Sequence, residues 1–302
     1  MEGDAIDKHL RSLTIAEYGA IHTQLLLESV SWRLVRASRR QKPEAIHDLR
    51  VAIRRLLNGL EAFKPLLPKA GRRRVRKRLR SINKLAGKVR DIDIAIDVMF
   101  SSLKVQDRPI HGRLRGKRKE AKSELKDELR RWIGRGELEE WHGELGFSSV
   151  DWKQWTQSKV RQTAKKHVYE ILPPVAAEFF ERGRALSTTS AHESLHKFRL
   201  HGKRLRDLLE LFEPLYGARM ESILSVIRET HHLLGDFNDL VTTREMLADR
   251  GFSDSRPRLF GAINARIDEK TGQFLAVWTR SLAAPETEDR WRKYLGTGEW
   301  LP

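Results

Sequence analysis

The chain has 302 residues, a formal net charge of +17 and no cysteine, which excludes disulfides, thiolate zinc sites and cysteine nucleophiles. No apolar run approaches the roughly 20 residues of a membrane helix, so no membrane partner is predicted. The acidic start MEGDAIDKHL does not resemble a secretory signal, and we expect a cytoplasmic protein. Of the 58 basic residues 38 are Arg, whose planar donors suit bidentate phosphate contacts, so a polyanionic partner is predicted.

Helical periodicity dominates the chain. The predicted helices, in chain order, are 14–40, 45–63, 71–90, 94–104, 110–133, 152–183, 239–249 and 258–282. Two more helices, which repeat 45–63 and 71–90, are expected between 183 and 239. Short joints that contain Pro or Gly separate these segments, and strand signals are scarce. The pattern predicts an all-α protein of two bundles, each with about four main helices.

The order of motifs in the first half recurs in the second half. Residues 45–66 align without gaps on 194–215. LAGKVRDID at 85–93 then aligns on LLGDFNDLV at 233–241, and an Arg-Pro pair follows each of these segments. Recurrence in one order across both halves predicts a tandem duplication.

The duplication predicts two units, 1–150 and 151–302, related by a pseudo-twofold axis and meeting near Ser148–Asp151. The first unit holds 34 basic and 20 acidic residues and the second 24 and 21, so the net charges are +14 and +3. We therefore expect the field that attracts a polyanion to come mainly from the first unit.

The segment 45–63 has two distinct faces. At 100° per residue its apolar residues form one stripe, while His47, Arg50 and Arg54 form a second stripe away from it. The second unit repeats the polar stripe with His196, Arg199 and Lys203. A basic stripe that recurs across a duplication indicates a binding surface more than an ordinary solvated face.

The segment 71–90 contains ten basic residues and no acidic one. Its apolar residues share one face, and the opposite face carries Arg73, Arg76, Lys77, Arg80 and Lys84. The second unit keeps Arg228 and has His232 at the place of Lys84. Like charges at this spacing destabilise a bare helix, so the pattern predicts an anion bound on this face. No aromatic lies between 71 and 98, which argues against stacking of nucleobases there.

Two quoted stretches carry a family resemblance. HDLRVAIRRL at 47–56 and LHKFRLHGKRLR at 195–206, each followed by Leu-x-Gly-x-x-x-Asp at 85–91 and 233–239, resemble the CHAD domain family. The resemblance covers nearly the whole chain. It implies two four-helix units around a basic central cavity that binds inorganic polyphosphate without catalysis, and association with polyphosphate granules.

The resemblance also implies a set of ligands, carried over position by position. In this sequence they are His47, Arg50, Arg54, Arg55, His196, Arg199, Lys203, Arg204 and Arg206. The second unit departs from the pattern, because Asn238 stands where the first unit has Arg90, and Glu221, Leu224 and Ser225 align with Arg73, Arg76 and Lys77. These departures predict binding that depends mainly on the first unit.

No catalytic site is predicted. His192-Glu193-Ser194-Leu195-His196 matches the zincin spacing H-E-x-x-H, but His196 is already explained by the duplication and the first unit has no counterpart of His192. Walker and G-x-G-x-x-G loops are missing, so we expect neither an enzyme nor a metal or cofactor. Two alternatives stay open at this point: an enzyme or accessory subunit of polyphosphate or nucleotide phosphate metabolism, and a nucleic-acid-binding protein.

Two further features are interpreted as structural. The mixed charges of 113–131 indicate a solvated helix face, since its acids offset its bases. Trp132, Trp141, Trp155 and Trp278 are expected to pack in the core rather than to stack on a ligand.

Overall fold

The computed structural model describes residues 12–105, 107–146, 162–187, 190 and 192–300. The regular secondary structure of these ranges is helical, which confirms the predicted all-α class. No helix in this described part is long and apolar enough to cross a membrane. Residue contacts divide the chain into two compact units, one formed by Leu13–Gln162 and the other built on Thr163–Pro302. The predicted boundary near Ser148–Asp151 lies outside the described residues.

The first unit is a bundle of four long helices and one short one in its described residues. They are α1 (Ile15–Arg39), α2 (Pro43–Ala62), α3 (Lys69–Asp97), α4 (Arg108–Gly134) and α5 (Glu137–Glu144). Consecutive long helices pack against each other and α1 also contacts α4, so α1 to α4 close into a ring. Short connections make successive helices antiparallel. The short α5 packs on α3 and α4.

The second unit has four long helices and a shorter one at its end, again in its described residues. They are α6 (Ala164–Arg184), α7 (His192–Phe212), α8 (Arg219–Ala248), α9 (Pro257–Ser281) and α10 (Pro285–Thr297). α7 packs on α6 and α8, α8 packs on α9, and α10 covers α6. Trp278 of α9 reaches α6 at Gly183, where a Cβ would come within 1.9 Å of the indole. This close approach brings α9 and α6 together.

Side-chain caps set several of the helix starts. The Oγ1 of Thr14 accepts a hydrogen bond from the backbone N–H of Glu17 at 3.2 Å, and the carboxylate of Glu17 accepts one from the N–H of Thr14 at 2.8 Å. This reciprocal capping box begins α1. Asp107 caps α4 by accepting from the N–H of Ile110 at 3.1 Å, so each cap satisfies donors that a helix start would leave open.

The predicted apolar stripes of 45–63 and 71–90 form the core of the first unit. The side chains buried on α2 and just after it are Leu49, Ile53, Leu56, Leu60 and Phe63, and those on α3 are Val75, Leu79, Ile82, Ala86 and Val89. The expected packing role of Trp132, Trp141 and Trp278 is confirmed, because each is at most 5% exposed. Trp155 lies outside the described residues.

Two predicted helix boundaries are wrong. The segments 71–90 and 94–104 belong to one helix, α3, which continues to Asp97 and ends in a π-helical turn at Val98–Ser102. Likewise 239–249 is the C-terminal part of α8 rather than a separate helix. A glycine inside a helix destabilises it by only about 1 kcal/mol. Packing on neighbouring helices therefore keeps α3 continuous through Gly87 and α8 continuous through Gly235.

The ends of the units also differ from the prediction. α5 and α10 were not predicted, and both are short helices with few apolar residues of their own. Of the predicted helix 152–183, the part from Ala164 onwards is α6, while 152–161 lies outside the described residues.

Candidate anion-binding site

His47, Arg50 and Arg54 lie on α2 where it packs against the C-terminal part of α3. Partial burial lowers the pKa of His47, and the charge of Arg90 adds the next contribution, followed by smaller ones from Arg54 and Arg50. Asp48 acts in the opposite direction. The Nη1 of Arg50 lies 3.9 Å from a carboxylate oxygen of Asp91 on α3. The imidazole is therefore neutral at pH 7 and sits among guanidinium groups.

A glycine of α3 makes room for this cluster. A Cβ at Gly87 would come within 2.6 Å of Nη1 of Arg50, whereas a Cβ at Gly235, the aligned residue of α8, would meet nothing within 4 Å. Gly87 thus lets the Arg50 side chain lie directly against the backbone of α3.

A pocket of about 470 Å³ lies at the other end of the α2–α3 pair. Its lining residues are Glu61, Lys64, Arg72, Arg73, Arg76, Lys77 and Arg80. Arg76 donates a hydrogen bond to the carboxylate of Glu61, and Arg72 and Lys64 lie 3.8 and 3.7 Å from it. Partial burial alone would raise the pKa of Glu61, but the hydrogen bond and the surrounding cations hold it below its usual value. One carboxylate thus faces six cations, and the pocket is strongly positive.

The cluster around His47 and the pocket around Glu61 lie at the two ends of one basic strip, which runs along α2 and α3. His47 and Glu61 are 14 residues apart on α2, which is about 21 Å at 1.5 Å per residue. Since α2 and α3 are antiparallel, Arg90 lies near His47 and Arg76 lies at Glu61. Lys84 is exposed on α3 between these ends, and Arg55 is exposed on α2. Of the predicted first-unit residues, His47, Arg50 and Arg54 lie at one end of this helix pair, and Arg73, Arg76, Lys77 and Arg80 line the pocket at the other.

The second unit places its histidine against an amide instead of an arginine. The Nδ1 of His196 donates to Oδ1 of Asn238 on α8 at 2.8 Å, and Nη1 of Arg199 donates to the same oxygen at 3.2 Å. Asn238 Nδ2 in turn donates to Oγ1 of Thr242 at 3.3 Å. This part of the α7–α8 pair is a hydrogen-bonded network with fewer charges than its first-unit counterpart.

Most other cations predicted in the second unit face carboxylates. Arg228 donates to Glu221 at 2.6 Å, and Nε of Arg206 lies 3.5 Å from Glu210. The Nδ1 of His232 lies 3.9 Å from Asp236. Lys203 is half-buried and Arg204 exposed on α7. Local pairing therefore reduces the charge that this unit offers to an anion.

His231 is a buried group that the sequence analysis did not single out. It is 7% exposed on α8 and packs against Gly202 of α7, where a Cβ would come within 2.9 Å of its Nε2. Burial lowers its pKa to about 3, aided by Arg206, Lys203 and Arg199, while the Gly202 backbone opposes the shift. Periodicity could have identified the position as buried, but the charges of α7 facing it follow only from helix packing.

Three more residues were missed as site residues. Arg90 was noted only as a difference between the units, although it is the strongest charge acting on His47. Asn238 joins His196 to Arg199. Arg244 donates from Nη2 to Nδ1 of His192 at 3.2 Å. Arg90, Asn238 and Arg244 share one signal in the sequence. Each lies on the long helix that follows α2 or α7, on the side that faces that preceding helix.

The H-E-x-x-H match does not form a converging pair of ligands. His192 accepts a hydrogen bond from Arg244, whereas His196 donates to Asn238. Glu193 is exposed and pairs with Lys197 at 2.7 Å. A guanidinium beside His192 would repel a dication. The geometry at these three residues is that of a polar helix start.

The segment 113–131 shows the mutual pairing that its composition predicts. Lys117 contacts Glu120 at 2.8 Å, Arg131 contacts Glu128 at 2.6 Å, and Glu124 accepts from Lys88 of α3 at 2.9 Å. Arg118 donates to the buried carboxylate of Asp93, also on α3. Lys117, Arg118 and Arg131 of α4 are thus paired with carboxylates on the same or the neighbouring helix.

Comparison with known proteins agrees with this architecture. The family model of the CHAD domain matches residues 24–248, which extend from α1 to the end of α8. The chain belongs to the CHAD domain family. The structure is also similar to the crystal structure of the CHAD domain from the plant Ricinus communis, with a TM-score of 0.64 and 20% sequence identity over 95% of this chain and 93% of that one. A search of curated proteins gave no match.

Proposed function

We propose that this CHAD domain binds inorganic polyphosphate without acting on it, and that it associates with polyphosphate granules. The observation that carries the proposal is the basic strip of α2 and α3, with a pocket in which six cations surround one carboxylate. A chain of phosphates has a negative charge on every repeat, and guanidinium groups bind phosphate oxygens through paired, charge-assisted hydrogen bonds.

The strip favours a base-free polyanion over nucleic acid. Single-stranded nucleic-acid sites combine cations with aromatic platforms, and each stacked base contributes roughly 1–3 kcal/mol. No aromatic residue lies between 71 and 98, so the exposed face of α3 offers many cations and no aromatic platform. Selectivity would then come from charge density and chain flexibility, without contacts to bases.

Histidines would make binding depend on pH. The pKa of His47 is lowered in the protein alone by burial and by neighbouring cations. A bound polyanion offsets the charge of the neighbouring cations and raises the pKa of His47, so binding is accompanied by proton uptake. Affinity should therefore increase as the pH falls from 8 towards 5, and His47→Gln should flatten this dependence.

A competition assay tests the function. Labelled long-chain polyphosphate is titrated with the protein near 0.15 M salt, and unlabelled polyphosphate, RNA and DNA compete at equal phosphate concentration. We expect polyphosphate to compete best, with a steep loss of affinity on adding salt. Equal or better competition by RNA or DNA would instead support nucleic-acid binding.

A second measurement separates binding from catalysis. Long-chain polyphosphate is incubated with the protein and Mg²⁺, and its length distribution is followed on a gel. Unchanged chain length together with tight binding supports a binding module. Time-dependent shortening that disappears in the Arg73→Gln/Arg80→Gln protein would show that the site acts on its ligand.

A further inference from the structure

A second basic pocket lies on the opposite flank of α3. It has a volume of about 410 Å³ between α3 and α4, and its lining residues are Arg74, Lys77, Arg78, Ser81, Glu128, Arg131, Trp132 and Arg135. Five of these side chains are cations and one is a carboxylate. Apart from Lys77, none of them was predicted from the sequence as a ligand.

Lys77 lines both pockets and connects them. Measured at 100° per residue from Arg73, the first pocket includes Arg76 at about 300° and the second includes Arg78 at about 140°. Lys77 lies at about 40°, between the two flanks. Basic side chains therefore continue around the exposed side of α3, from the groove with α2 to the groove with α4.

Two carboxylates contact arginines of the second pocket. Glu128 contacts Arg131 at 2.6 Å, and Glu144 of α5 accepts from Nε of Arg74 at 2.6 Å. Glu144 is not among the lining residues, and the lining holds five cations and one carboxylate. The side chains of Arg74 and Arg131 are 57% and 63% exposed, so an anion can reach them.

The floor of the pocket does not suit a nucleobase. Trp132 is only 5% exposed and packs edge-to-face on Trp141, with ring centroids 4.5 Å apart. The indole that lines the pocket is thus committed to the core and offers no accessible ring face for stacking. The chemistry of the site is that of phosphate binding by guanidinium groups.

We propose that a polyphosphate chain bound in the α2–α3 pocket crosses α3 at Lys77 and continues into the α3–α4 pocket, which is a second subsite. This inference rests on the proposed function and extends it to chain length. A chain long enough to cross the helix contacts both pockets, whereas tripolyphosphate occupies one at a time. The first unit alone therefore discriminates long chains from short ones.

Arg131→Gln/Arg135→Gln tests the second subsite, and Arg115→Gln/Lys119→Gln is a matched control. Both pairs remove two charges, Arg131 in α4 and Arg135 at its C-cap in the test variant and two α4 residues in the control, but Arg115 and Lys119 are exposed away from the pocket lining. The test variant should lower affinity for long-chain polyphosphate several-fold. It should also reduce the slope of log affinity against log salt by about 1.4, since each phosphate contact of a single strand contributes about 0.7. Tripolyphosphate binding in the α2–α3 pocket should change less than twofold.

Glu128→Gln gives a change in the opposite direction. Removing the carboxylate that contacts Arg131 should strengthen long-chain binding about two- to threefold and leave tripolyphosphate binding as it was. Thermal unfolding of each variant shows whether the fold is kept, and Glu128→Gln gives a readout even if the double variant does not fold.

The outcomes separate this inference from the proposed function. Equal long-chain affinity in Arg131→Gln/Arg135→Gln, Arg115→Gln/Lys119→Gln and the unaltered protein would overturn the second subsite and leave polyphosphate binding intact. An equal loss in both double variants would show a general charge effect and overturn it as well. If the unaltered protein binds no polyphosphate of any length, both proposals are wrong.

Discussion

The α2–α3 pair of the first unit and the α7–α8 pair of the second unit share a sequence pattern but differ in charge. In the first pair His47 lies near Arg90, and the guanidinium of Arg50 lies against Gly87. In the second pair His196 is hydrogen-bonded to Asn238, which stands at the position aligned with Arg90. Where the first unit has an arginine beside its histidine, the second has an amide that accepts hydrogen bonds from His196 and Arg199, so its cluster carries fewer charges.

The difference extends along the whole of α3 and α8. α3 carries cations on both flanks of its exposed side, where they line two pockets. On α8 the aligned surface has Glu221, which pairs with Arg228, and Leu224, which is buried. Helix pairs with the same apolar stripe can therefore differ fully in their outer face, because core packing constrains only the inner one.

The largest predicted effect concerns His231, which aligns with Asn83 of the first unit. The unfolded chain binds a proton on this imidazole below about pH 6.5, whereas burial lowers the folded pKa to about 3. The contribution of neutral His231 to the free energy of unfolding is therefore fully present above pH 6.5. It is lost as the pH falls from 6.5 towards 3, by about 2 kcal/mol between pH 7 and pH 5. Thermal melts of the unaltered protein and His231→Asn should show a smaller acid-induced loss in the variant.

His22 provides a reference in the first unit for that experiment. Burial lowers its pKa to about 4, and it is present in both proteins. Acid sensitivity should therefore be reduced in His231→Asn and not abolished. An unchanged difference in melting temperature between pH 7 and pH 5 would show that His231 is not the buried titrating group of the second unit.

The next effect compares aligned pairs of cations on α3 and α8. Arg80 and Lys84 align with Arg228 and His232. Arg80→Gln/Lys84→Gln should weaken polyphosphate binding about tenfold and reduce the salt slope by about 1.4. Arg228→Gln/His232→Gln should weaken it less than threefold, since Glu221 and Asp236 already face these side chains. Equal losses of affinity in titrations of the two proteins would contradict the predicted difference between α3 and α8 and would support equal contributions from the two units.

The smallest effect exchanges Arg90 and Asn238. Arg90→Asn should lower affinity about fivefold, the magnitude of one charge contact near the surface. It should also raise the pKa of His47, because the largest charge acting on that imidazole is removed. NMR titration of the imidazole measures this shift. The reciprocal Asn238→Arg should strengthen binding, and a protein with both changes should recover part of the loss.

Periodicity predicted most of the helices and the faces they bury. The stripe from Leu49 to Phe63 lies in the core as expected, and so does the one from Val75 to Val89. The continuity of α3 between the predicted segments 71–90 and 94–104, and of α8 across position 239, was not predicted, because it depends on packing against neighbouring helices. α5 carries too little periodicity of its own to be found before its contacts with α3 and α4 are known.

The candidate site was predictable where charge and periodicity coincide, as at Arg73, Arg76 and Arg80, which line one pocket. It was not predictable where two helices meet. Arg131 belongs to the segment 113–131, whose mixed composition indicated a solvated face, and Arg135 lies just beyond it, yet α3 brings Arg74 and Arg78 beside both. The pairing of Arg76 with Glu61 likewise depends on the approach of α3 to α2.

The sequence by itself determined the all-α class, the buried stripes, the family and the excess of cations in the first half, because each depends on residue type and spacing along one helix. Only the tertiary structure decided which cations share a pocket, which are neutralised by a carboxylate and which histidines are desolvated. Charges interact through space over a few ångströms, and residues as distant in the chain as Arg74 and Arg135 become neighbours only when their helices pack.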